Sequence, residues 1–192
     1  MRVGAVVLAA GPSTRMGRPK LLLMYQGVPL LRRAVDAAVG AGCIDVIVVL
    51  GANADQYRPI LNGTPARVVL NQHYAEGMAG SIQLGVEALG DEVDAAVIML
   101  ADQPFIDAEI IRRLIETYRT SGKRIVACQY GQVRGAPVLF DRALFLELLL
   151  IIGDQGARTV MESYSGHVAT VDIPVDAAGD IDAPEDLDRL NR

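Results

Sequence analysis

The chain has 192 residues, 51% hydrophobic and 21% charged, with a formal net charge of −5. That apolar content supplies a real core and excludes a disordered chain, and the length predicts a single domain over 1–192. Net acidity argues against general nucleic-acid binding. No apolar run reaches the roughly 20 residues needed to span a bilayer, and the N-terminus lacks a signal-peptide layout. The expectation is a cytoplasmic protein with no membrane or nucleic-acid partner.

The apolar run over 3–8 suits a strand buried on both faces. It breaks at Ala9-Ala10-Gly11, a corner of small residues, and a loop carrying Arg15, Arg18 and Lys20 follows. Small residues let a ligand approach the backbone, and fixed cations beside them make a plausible phosphate cradle. It is not a Walker loop, because Met16 stands where the second glycine belongs and Gly17 is followed by Arg18 and Pro19. Nor is it a dinucleotide fingerprint, because position 13 is Ser.

Pro29 opens a helix over 29–41, with Leu31, Ala34, Val35 and Ala38 on one face. A strand over 44–50 leads to Asn53, a candidate cap for a helix to about residue 61. A short strand over 68–70, a glycine-containing loop over 71–80 and a helix over 81–89 come next. The run over 95–100 is the clearest buried strand, and it leads straight into Asp102-Gln103-Pro104. Asp107 can cap a helix over 108–121 that Gly122 ends. A strand over 124–129, hairpin or edge structure over 131–140 and a helix over 141–150 follow. The loop Gly153-Asp154-Gln155-Gly156-Ala157-Arg158 opens a helix ending near 166, then come a strand over 168–173, an acidic loop over 176–183 and a helix from Pro184. Strand–helix alternation predicts a three-layer α/β fold with a mostly parallel sheet and a small antiparallel edge or insertion.

A carboxylate directly after a buried strand lies where open α/β sheets bind ligands, so Asp102 is a candidate Mg²⁺ ligand. Residues 1–35 hold six cations and no acid, whereas 172–188 hold seven acids and no cation. If the fold brings these ends together, Arg15 or Lys20 would hold phosphates and the acidic loop would supply a second carboxylate, Asp182 or Asp180. Two histidines, His73 and His167, exclude a His-rich zinc site. Cys43 and Cys128 have no metal-type spacing and suit buried, reduced core positions, with a disulfide left open.

Leu8-Ala9-Ala10-Gly11, Ser13-Thr14-Arg15-Met16-Gly17 and Pro19-Lys20 resemble the signature of the nucleotidyltransferases, which attach a nucleoside monophosphate to a phosphorylated acceptor. Asn71, Glu76-Gly77-Met78, Ser81, Ala101-Asp102-Gln103-Pro104, the 153–158 loop and the segment over 180–187 resemble motifs of the molybdenum-cofactor branch. The resemblance implies a Rossmann-like nucleotidyltransferase fold and catalysis by Arg15, Lys20 and Asp102. It implies nucleotide contacts from Leu8, Ala9, Ala10, Gly11, Arg15, Lys20, Asn71 and Ser81, and Mg²⁺ on Asp102 and Asp182. Arg134, Asp154 and Arg158 would face a phosphorylated pterin acceptor. Ala10, where guanylyl-transferring relatives usually carry Gly, leans toward CTP over GTP. Gly135-Ala136-Pro137 departs from the Gly-His-Pro of many cytidylyl members, which leaves a sugar- or alcohol-phosphate transferase, or a non-catalytic cofactor-binding maturation protein, as alternatives. A molybdoenzyme or its maturation factor is the implied protein partner.

Overall fold

The seven-stranded sheet at the centre runs in the order β5 (Arg67–Leu70), β4 (Asp45–Leu50), β1 (Val3–Ala9), β6 (Ala95–Leu100), β8 (Val133–Asp141), β7 (Ile125–Tyr130) and β9 (Val168–Ile173). The computed structural model describes residues 1–154, 156–181 and 186. The elements in chain order are β1 (Val3–Ala9), β2 (Met24–Tyr25), β3 (Val28–Pro29), α1 (Leu30–Gly40), β4 (Asp45–Leu50), α2 (Ala54–Tyr57), β5 (Arg67–Leu70) and α3 (Met78–Glu87). They continue with β6 (Ala95–Leu100), α4 (Ala108–Ser121), β7 (Ile125–Tyr130), β8 (Val133–Asp141), α5 (Phe145–Leu149), α6 (Arg158–Ser163) and β9 (Val168–Ile173). β1 pairs in parallel with β4 and β6, β4 with β5, and β7 with β9. β2 and β3 form a small antiparallel ribbon of their own.

Every residue of β1 is buried, and its side chains divide between two cores by strand alternation. Val3, Ala5 and Val7 join α1 and α4 on one face. Val6 and Leu8 join α3, α5 and α6 on the other. The expected three-layer, mostly parallel α/β arrangement is therefore the observed one. β8 is an insertion rather than an edge: it lies antiparallel between β6 and β7. Its consecutive residues Val138, Leu139 and Phe140 are all buried, so the strand is covered on both faces of the sheet.

Four local expectations are corrected. The helix after Asn53 gives way to a 3-10 turn, Arg58–Leu61, because Pro59 has no amide hydrogen to continue it. Asn53 caps through its backbone carbonyl, which accepts from Gln56 and Tyr57 amides, and not through its side chain. α3 starts at Met78 instead of Ser81, since its first amides find acceptors on a distant loop. The stretch expected as a helix over 141–150 begins as a 3-10 turn, Arg142–Leu144, with Asp141 Oδ1 accepting from the Ala143 amide at 2.8 Å. Asp107 caps α4 as expected, accepting from the Ile110 amide at 3.0 Å. Gln155, Asp182 and the helix expected from Pro184 lie outside the described residues.

Cys43 and Cys128 are buried and unpaired with each other. Burial pushes each thiol up to about 12, so almost no thiolate exists near neutral pH. Labelling by a disulfide reagent at pH 8 is expected to run roughly 100-fold slower than for a free cysteine, with both thiols reacting once guanidinium unfolds the chain. Rapid native labelling would contradict that burial. Among the described residues, no helix is long and apolar enough to cross a membrane.

Candidate active site

β1, β4 and β6 run in parallel and end together, with Leu8 opposite Leu100 and Ala9 opposite Leu50. Backbone bonds stitch the loops that leave this edge. The Ala101 amide donates to Leu8 O at 3.1 Å, the Ala52 amide to Ala10 O at 3.1 Å and the Asn71 amide to Leu50 O at 2.8 Å. The chain after β1 crosses toward β4, while the chain after β5 returns to the other side of β1. Ligands of open α/β sheets bind at such a reversal.

A cleft of about 510 Å³ occupies this edge. The small residues Ala9, Ala10 and Gly11 form one side of it, with Arg15 and Lys20 above them. Asp102, Asp154, Asp180, Tyr74 and Ser81 complete the polar lining. Lys20 Nζ donates to Asp102 Oδ2. Asp102 Oδ1 is buried and has no hydrogen-bond partner among the described residues. The Ile181 amide donates to the Asp102 carbonyl at 3.0 Å, which draws Asp180 into the cleft. The basic opening and the acidic C-terminal segment thus meet, as their charge asymmetry suggested. Two hard carboxylates suit Mg²⁺ or Mn²⁺ completed by phosphate oxygens and water.

Gly51 must be glycine. A Cβ there would stand 2.5 Å from Ala10 O and 2.9 Å from the Cβ atoms of Ala10 and Tyr74. Its absence lets three segments close around one end of the cleft. Tyr74 is a lining residue that sequence reasoning missed, and no motif pointed to it.

Asn71 is 2% exposed and does not line the cleft. Its Nδ2 donates to Ser81 Oγ at 2.9 Å, and its Oδ1 accepts from the His73 amide at 2.8 Å. Asn71 therefore fixes the loop beside the cleft, and Ser81, itself buried, is the member of the pair that lines it. His73 points outward and contacts Glu76.

A second cavity of about 220 Å³ adjoins the first and shares Leu8, Met78, Leu100 and Asp154 with it. Its remaining wall is mainly apolar, including Ile82, Ile98, Val138 and Met161, with Arg134 and Arg158 at the lining. Asp154 stands at the partition. Its Oδ1 accepts from the Met78 amide at 3.3 Å, while Gly153 O accepts from the Ala79 amide at 3.0 Å. These two bonds cap α3 and tie the 153–158 loop to it. Arg158 is mostly exposed and pairs with Glu162 at 2.8 Å. Tyr130 donates to Ala136 O at 2.7 Å and steadies the far wall.

An α/β sheet that ends in a cation-lined small-residue cleft, with a carboxylate at the adjacent strand end, fits the site of a nucleotidyltransferase. The chain belongs to the family of MobA-like NTP transferase domains, which it matches over residues 5–168. It is 33% identical to the nicotine blue oxidoreductase of Paenarthrobacter nicotinovorans, across 98% of this chain and 96% of that one. The crystal structure of Rv0371c from Mycobacterium tuberculosis H37Rv superposes with a TM-score of 0.86 at 31% identity, covering 99% of this chain and 97% of that one. The same protein in complex with manganese gives a TM-score of 0.79 at 30% identity, covering 99% and 98%. A nucleotidyl transferase from Methanothermobacter thermautotroptrophicus gives 0.85 at 27% identity, covering 98% and 95%.

Proposed function

We propose that this enzyme moves CMP from CTP to the terminal phosphate of a phosphorylated pterin, the molybdenum cofactor or its metal-free form, and releases pyrophosphate. The observation that carries this reading is the adjacency of two unlike cavities. One is polar and carries Arg15, Lys20, Asp102 and Asp180. The other is mainly apolar, with Arg134 and Arg158. A triphosphate fits the first, and a flat ring system with an anionic tail fits the second.

The residues divide the work accordingly. The backbone of Leu8 to Gly11 faces base and sugar, and the Ala10 methyl narrows that end toward a pyrimidine. Arg15 and Lys20 hold the triphosphate, and Ser81 is a further polar contact. Asn71 acts through Ser81 as a positioning residue. Asp102 and Asp180 would hold a divalent ion, with Mg²⁺ favoured. When bound, such an ion neutralises charge on the phosphates and helps align them. The manganese complex of the mycobacterial relative supports a divalent ion here. Arg134 and Arg158 meet the acceptor, while Asp154 holds the partition between the two substrates. The transfer is an in-line displacement at the α-phosphorus, so positioning and charge neutralisation carry it without a protein nucleophile. A sugar acceptor fits the apolar wall poorly, because its hydroxyls would lose water without gaining partners.

The test is a pyrophosphate-release screen of four nucleoside triphosphates against molybdopterin and a sugar 1-phosphate, with and without Mg²⁺. Release is expected only with Mg²⁺ and the pterin, fastest with CTP. Turnover of the sugar phosphate and none of the pterin would overturn the acceptor assignment. Reduction of nicotine blue without any pyrophosphate release would overturn the transfer reading itself.

A further inference from the structure

Lys20 begins the 3-10 turn Lys20–Leu22 at the far end of the opening loop. The Lys20 amide donates to Ser13 Oγ at 3.3 Å, closing the loop on itself and turning the side chain into the cleft. There its ammonium is bonded to Asp102, with the two side chains only 14% and 16% exposed. The other Asp102 oxygen is buried and has no hydrogen-bond partner among the described residues. The carboxylate best placed to take a divalent ion is therefore already neutralised by a tethered cation. Arg15 and Asp180 line the same cleft.

We propose that Lys20 is an internal counter-ion that makes metal binding conditional on the nucleotide. While its ammonium stays on Asp102, a divalent ion at that carboxylate meets a like charge in a half-desolvated site and binds weakly. A triphosphate offers Lys20 a stronger anionic partner. Its ammonium then leaves Asp102 for the phosphates, and the freed carboxylate is available to the ion that arrives with the nucleotide. Metal and nucleotide are coupled, and the coupling acts equally in both directions. The inference rests on Asp102 being the metal ligand, and it adds to that reading an order of events.

Mn²⁺ titration followed by paramagnetic resonance tests it, first on the protein alone and then with the non-hydrolysable α,β-methylene analogue of CTP. Without nucleotide, Lys20→Met is expected to bind Mn²⁺ roughly 5- to 100-fold more tightly than wild type. The gain that the analogue produces in Mn²⁺ affinity should be smaller in that variant. Lys20→Gln keeps a polar side chain without the charge and should behave alike, which covers the case where Lys20→Met misfolds. Lys20→Arg retains the charge and should match wild type. If both uncharged variants bind Mn²⁺ no better than wild type while Asp102→Asn abolishes binding, the counter-ion role is wrong and the metal assignment stands. If Asp102→Asn binds Mn²⁺ like wild type, the metal assignment itself fails, and the inference with it.

Discussion

Asp102→Asn is expected to lower pyrophosphate release from CTP by roughly 1000-fold or more. Asparagine keeps the size of the side chain and removes only the charge and one acceptor. The fold does not depend on that charge, since it is the Asp102 backbone carbonyl that holds the Ile181 amide at 3.0 Å. What is lost is the negative centre at the end of β6, whose buried Oδ1 has no hydrogen-bond partner among the described residues. On the proposed metal role, a divalent ion would then lack a charged ligand, and Lys20 would lose its anionic partner at this position. The loss belongs in kcat, because the interaction matters most where charge develops on the leaving pyrophosphate. Steady-state kinetics at saturating Mg²⁺, with circular dichroism as the folding control, provides the check. Activity within about tenfold of wild type would remove Asp102 from the metal role.

Gly77→Ala is expected to be the most damaging single-methyl change near the site. Gly77 has φ +116° and ψ 176°, a region in which side chains are strained. An added Cβ would also stand 2.7 Å from both the carbonyl carbon and the oxygen of Gly153 and 2.8 Å from Asp154 Oδ1. Neither the backbone nor the capping carboxylate can yield without breaking the bonds that tie the 153–158 loop to α3. Strain and displacement together are worth about 2–4 kcal/mol, a fall in Tm of roughly 5–15 °C for a chain of this size. Because Met78 and Asp154 line both cavities, KM should rise for the nucleotide and for the acceptor alike. Gly80→Ala is the control. Its nearest contact would be Asn71 Nδ2 at 3.6 Å, ordinary packing distance, and alanine favours a helix over glycine. Equal unfolding temperatures for the two variants would show that the Gly77 backbone does not hold the partition.

Much of the site was legible in order along the chain. A buried run that stops at Ala9-Ala10-Gly11 and another that stops at Asp102 can be read from hydrophobicity alone. Parallel strands then bring both ends to one edge. The charge asymmetry of the termini also foreshadowed the arrival of Asp180 in the cleft that Arg15 and Lys20 line. The capping of α4 by Asp107 was equally plain, since cap and amide are three residues apart. Misreadings occurred where the partner is remote. The start of α3 depends on Gly153 and Asp154, roughly 75 residues away along the chain. Asn71, expected from the resemblance to contact the nucleotide, is not among the residues lining the cleft. Its bonds to Ser81 and His73, which hold the loop together, could not be read from the sequence.

The sequence by itself determined the α/β class, the strand ends that carry the site and the cationic loop above them. Each follows from local periodicity, small-residue corners and the sign of side-chain charge, which need no knowledge of neighbours. Tertiary structure decided that β8 enters the sheet between β6 and β7, that Tyr74 and Gly51 close one end of the cleft and that Asp154 divides two cavities. It also decided that Lys20 rests on Asp102. These are contacts between residues distant along the chain, and such contacts are selected by packing and by the pairing of buried polar groups in three dimensions, not by any pattern along one strand or helix.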